Sequence, residues 1–137
     1  MRIYTLDEAR ALLPQVAPVV IAIQRAYREL RALQASLGQA AEMASADGNL
    51  TANPWDEAGA PRQEALAAAV RDGAAKLDVW GIELKDPDRG LIDFYWLRGG
   101  ETVYLCWLAG ERELAFWHSL RDGFAGRRPI SEPGEPR

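Results

Sequence analysis

Two adjacent glycines, Gly99 and Gly100, stand between two runs of strand-forming residues, 91–98 and 101–108. A two-residue hairpin turn of the common type needs positive φ at both central positions, which glycine adopts without steric cost. With the glycines in those positions the register of the hairpin is fixed. One face then carries Ile92, Phe94 and Trp96 opposite Trp107, Leu105 and Val103, an apolar surface that other elements must cover. The other face carries Leu91, Asp93, Tyr95 and Leu97 opposite Leu108, Cys106, Tyr104 and Thr102. Asp93 thus sits directly across from Cys106, and Tyr95 across from Tyr104.

The cover for the apolar face is helical. Thr5 and Glu8 have the spacing of a capping box, which opens a helix over residues 6–13; Pro14 either ends it or begins the next one. From Val16 onward the apolar residues keep heptad spacing, with Val16, Ile23, Leu30 and Leu37 in one row and Val19, Ala26, Leu33 and Ala40 in the other. A helix from Pro14 to Ala46 would be ~50 Å long, whereas a compact chain of this size has a radius of gyration of ~14 Å. It must protrude, bend at Pro18, or pair. The segment from Pro61 to Trp80, with Leu66, Val70, Gly73, Leu77 and Trp80 at helical spacing, offers an antiparallel partner. A second copy of the chain, giving a homo-oligomer through the long helix, is the alternative.

Residues 47–60 read as a long loop holding Trp55, and residues 131–137 as a disordered tail. Ile82–Lys85 alternates like a short strand and is followed by the turn residues 86–90. The predicted fold class is therefore α+β: a long antiparallel helical hairpin packed on a small antiparallel sheet of three to four strands. Residues 1–130 form a single domain in this reading, with helices over about 5–80 and the sheet region over about 81–120.

A formal charge of −4 and a pI near 5.0 provide no general positive field for nucleic acid or anionic lipid. The longest apolar stretch, Val16 to Ile23, is too short to span a membrane, and the first residues lack the apolar core of a signal peptide. The single cysteine, Cys106, suits a reducing compartment, so a cytoplasmic protein is expected.

No phosphate loop, paired zinc histidines, nucleophile elbow or C-x-x-C motif is present, and no catalytic residue is predicted. The chemistry that remains is a set of donors. Asp93, Cys106, the only histidine His118, and Glu83 and Glu111 offer the mixed soft and hard ligands that zinc or iron takes, with Tyr95 and Tyr104 beside them as ligand contacts. Strand parity bears on this set. If residues 114–119 form a third antiparallel strand with Leu114 and Phe116 on the apolar face, His118 goes to that face as well, away from Cys106. Direct co-ligation then fails, unless the segment is helical or bulged. Arg127 is a candidate anion clamp.

The blocks TLDEARALLP (Thr5 to Pro14), GIELKDPDRGLIDF (Gly81 to Phe94), VYLCW (Val103 to Trp107), GERELAFWH (Gly110 to His118) and GFAGRRPI (Gly123 to Ile130) together resemble a bacterial domain-of-unknown-function family, number twenty-two-oh-three in its series. The resemblance brings no activity with it. It implies where a site would lie, because those blocks contain Glu83, Lys85, Asp86, Asp93, Cys106, Glu111, His118 and Arg127; Ser119 departs from the acidic residue expected there. Two functional expectations follow. The first is a non-catalytic interaction or assembly module built on the heptad helix. The second is a metal-ion or small-ligand site on the Asp93/Tyr95/Tyr104/Cys106 face.

Overall fold

In the computed structural model, which describes residues 1–46 and 59–131, the hairpin forms in the predicted register. Strand β3 (Leu91–Arg98) and strand β4 (Glu101–Leu108) pair antiparallel through eight residues, from Leu91 with Leu108 to Arg98 with Glu101. Gly99 and Gly100 take φ of 57° and 81°, the left-handed values this turn demands. The predicted loop 47–60, apart from its last two residues, and the predicted tail, apart from Ser131, lie outside the described residues.

The sheet around this hairpin is larger than expected and mixed, with six strands. β1 (Ile3–Tyr4) runs parallel to β3, and β2 (Glu83–Asp86) lies antiparallel beside the other half of the same β3 edge. On the opposite side β4 pairs β5 (Phe116–His118), which pairs β6 (Arg128–Pro129). Strand β1 has no alternating pattern of its own because it is two residues long. It is held by Tyr4, whose buried ring meets Phe94 edge-on at 5.3 Å and whose hydroxyl donates to the Trp80 carbonyl.

One continuous helix, α1 (Leu6–Ala46), replaces the two expected around Pro14. The capping box is reciprocal, with the Thr5 amide 2.8 Å from Glu8 Oε1 and the Glu8 amide 3.0 Å from Thr5 Oγ1. Pro14 and Pro18 each remove a helical hydrogen bond, but both are exposed, so the carbonyls they free face water. On the opposite side Ala9, Leu13, Val16, Val20 and Ile23 are buried against the sheet. That packing outweighs the two missing bonds, and the helix continues.

The second helix, α2 (Ala60–Trp80), ends on Gly81 at φ 72° and lies against α1. Arg62 reaches Glu29 at 2.6 Å, and Gly73 faces Ile23. The first half of the heptad seam is thus covered within the chain. No described helix is long and apolar enough to cross a membrane.

A side chain at position 73 would drive into Ile23, which is only 1% exposed and has no room to retreat. The Gly73→Val protein is expected to be about 1–3 kcal/mol less stable in urea denaturation. An unchanged midpoint would mean that the helices are not in this close contact.

A buried histidine, carboxylate and thiol on the second face of the sheet

Pairing carries the two faces of the hairpin across to the neighbouring strands. Leu105 pairs Trp117, and both lie on the face covered by the helices; Tyr104 pairs His118, and Cys106 pairs Phe116, on the other. This reverses the parity expected for His118. The alternation begins only at Phe116: Leu114 is buried in the core but precedes the strand, and Ala115 between them accepts a hydrogen bond from the Ile130 amide. The core takes Trp117 rather than Phe116, and His118 arrives on the side of Asp93 and Cys106.

Around Asp93, Cys106 and His118 that side is covered. The chain after His118 folds back over it, through a short 3-10 turn (Phe124–Gly126) into β6. Arg127 pins this cover: its guanidinium lies 4.0 Å from the centre of the Phe116 ring and 4.7 Å from that of Phe124, and it donates to the Cys106 carbonyl and, at 2.8 Å, to Glu111 Oε1. Glu111 is itself tied to the Leu108 amide at 2.7 Å. Asp93, Cys106 and His118 are left 1%, 0% and 3% exposed.

Their geometry fixes a chemical constraint. His118 Nδ1 is 2.8 Å from the Ser119 carbonyl, which can only accept, so Nδ1 carries a proton. The other ring nitrogen, Nε2, is 3.1 Å from both Asp93 oxygens. A neutral ring would aim a lone pair at a carboxylate. A proton, on the ring or on the carboxyl, or a cation must lie between them. Burial lowers the pKa of His118, but the hydrogen bond and charge of Asp93 more than offset this, and the net shift is upward. The Cys106 thiol is pushed up to about 12, chiefly by burial and then by the charge of Asp93, against the pull of Arg127. It is no free nucleophile.

Among the described residues, the donor atoms of Asp93, Cys106 and His118 all lie within 4.8 Å of one another. Glu83 and Glu111 are not part of that set. Glu83 pairs Asp93 across the strands, and its carboxylate is engaged by Tyr104, Tyr95 and Lys85. The Tyr95 and Tyr104 rings are 5.1 Å apart, and Tyr104 is 5.2 Å from the His118 ring, so the phenols form one wall of the site. Arg127 is engaged by Glu111 and the Cys106 carbonyl.

A cavity of about 240 Å³ opens over the pair, with Asp93 and His118 in its floor and Lys85, Leu91, Tyr104 and residues 120–124 around it. The sequence reading missed this outer wall. Its signal was the polar, glycine-containing stretch after His118, which has no strand pattern to place it. A larger depression of about 490 Å³ at the start of α1 has Asp7 and Arg10 as its charged side chains, and Arg10 is spent on the Leu114 carbonyl.

A profile for DUF2203, described as an uncharacterized conserved protein, matches residues 2–130. The chain belongs to this family. DUF2203 thus takes in every element described above except the first residue and Ser131, including all three buried donors. No curated protein and no solved structure matches the chain.

The upward shift of His118 sets the pH dependence of the metal-free protein. A group whose pKa is higher folded than unfolded contributes stability that is full below its unfolded value, about 6.5, and is lost as pH rises through the folded value. Melting in the presence of a chelator is therefore expected to fall as pH is raised above about 6.5, and His118→Gln should flatten the profile. Asp93→Asn removes the buried partner of the His118 ring and should cost about 1–3 kcal/mol in the same metal-free protein.

Proposed function

We propose that this protein binds one transition-metal ion, zinc or iron, through Asp93, Cys106 and His118. The observation that carries the reading is the commitment of His118 Nδ1 to the Ser119 carbonyl. A backbone acceptor on one ring nitrogen is the usual way to orient a histidine and present the other nitrogen to a metal. Here that other nitrogen points at a carboxylate, with a thiol in the same cluster. Two ligands at about 2.1 Å from a tetrahedral zinc ion stand ~3.4 Å apart, close to the 3.1 Å between Nε2 and each Asp93 oxygen. A divalent cation would also resolve the thiol, since coordination drives off its proton despite burial. The donor set is borderline, which suits zinc or iron over magnesium or calcium.

The test is elemental analysis of protein purified without an affinity tag. About one equivalent of metal is expected, lost in Cys106→Ser and in His118→Ala, with a rise in melting temperature when metal is returned to the stripped wild-type chain. Sub-stoichiometric metal and no thermal shift with zinc, iron, copper or nickel would overturn the reading. The buried free thiol fits a cytoplasmic setting, where it stays reduced.

A second reading, an assembly role, rests on the far end of α1. In the helical hairpin that α1 and α2 would make, Arg62 in the first turn of α2 already pairs Glu29. The heptad positions Leu33 and Leu37 lie beyond that pair and are only half-buried. They would join two copies side by side. Light scattering should then give a dimer mass that falls to the monomer in Leu33→Glu/Leu37→Glu; a wild-type monomer would remove this reading.

A further inference from the structure

Three protein donors are the number found where a metal keeps an exchangeable position, whereas closed structural zinc sites use four. In this chain the three are not equally placed. Cys106 is sealed beneath the sheet surface, while Asp93 and His118 form the floor of the 240 Å³ cavity. The fourth direction from an ion at the cluster therefore leads into the cavity.

The walls of that cavity have a chemistry of their own. Leu91, Leu120 and Phe124 supply apolar surface, and Lys85 and Arg121 supply two cations. Lys85 is held in place, with Nζ 3.6 Å from Glu83, 3.4 Å from the Tyr104 hydroxyl and 4.6 Å from the centre of its ring. Arg121 makes no ion pair among the described residues. Asp122 is the one acid in the wall besides Asp93, and it packs against Gly126, where an added Cβ would meet Asp122 Oδ2 at 3.1 Å. The volume is just below the usual range for small-molecule sites, about 300–1,000 Å³. It admits a compact metabolite and excludes a polymer.

We propose that the cavity takes a small carboxylic acid with a short apolar body, its carboxylate completing the metal's coordination between Lys85 and Arg121 and its body lying on Leu91, Leu120 and Phe124. The assignment rests on the metal site proposed above. It goes further in making that site an open, ligand-exchanging one.

The experiment uses the whole chain loaded with cobalt(II), whose visible absorption reports both a thiolate ligand and a change in coordination, and titrates it with benzoate. Benzoate should shift the bands saturably, and benzamide, of the same shape without charge, should not. Arg121 is exposed and Lys85 lies outside the donor set, so Lys85→Gln/Arg121→Gln should still take up cobalt while binding benzoate about tenfold more weakly. Cobalt bound through Cys106 with bands that ignore benzoate would overturn the open site and leave the metal reading standing. Equal benzoate affinity in the double variant would overturn the role of the two cations. Failure to take up cobalt would overturn the metal reading and this inference with it.

Discussion

The pairing of β3 with β4 governs which side chains this molecule can bring together. Side chains alternate along a strand, so a slip of one residue at the Gly99–Gly100 turn would turn every side chain of one strand to the opposite face. Either Ile92, Phe94 and Trp96 or Val103, Leu105 and Trp107 would leave the helices, and the opposition of Asp93 to Cys106 would be lost. The large apolar set on one face makes such a slip prohibitive, because burying those residues is the main gain of folding. The polar cluster on the reverse side is held by a register it did little to create.

Much of this was legible in the amino-acid sequence wherever one local rule decided the outcome. Two glycines at a turn fixed eight cross-strand pairs, and Thr5 with Glu8 fixed the start of α1. Elsewhere the deciding forces were tertiary. Pro14 reads as the end of one helix or the start of the next, and Pro18 as one place where a long helix could bend, yet the buried row from Ala9 to Ile23 carries the helix through both. β1 is too short to alternate and exists because Tyr4 has a place against Phe94 and Trp80. β5 is three residues long, so its phase rested on whether Phe116 or Trp117 entered the core, and that choice moved His118 from one side of the sheet to the other.

Placed where it is, His118 has no ring nitrogen left over. One is bound to the Ser119 carbonyl and the other faces Asp93. A catalytic histidine of the usual kind would keep one nitrogen for its substrate, with the carboxylate merely orienting it from behind. The histidine and carboxylate here face each other directly, and burial raises the pKa of the neighbouring thiol. These are the properties on which the proposed metal site rests.

The order of the parts along the chain has a temporal meaning. Asp93 and Cys106 belong to the two arms of one local hairpin, His118 comes on the next strand, and the residues that roof the cavity follow it. In the order of synthesis the carboxylate and the thiol precede the imidazole, and the residues of the roof come last. Their desolvation, which makes their mutual electrostatics severe, depends on Arg127 in its place against Phe116 and Phe124. The groups of the floor are therefore made before those of the roof, and the site is whole only once the last strand is in place.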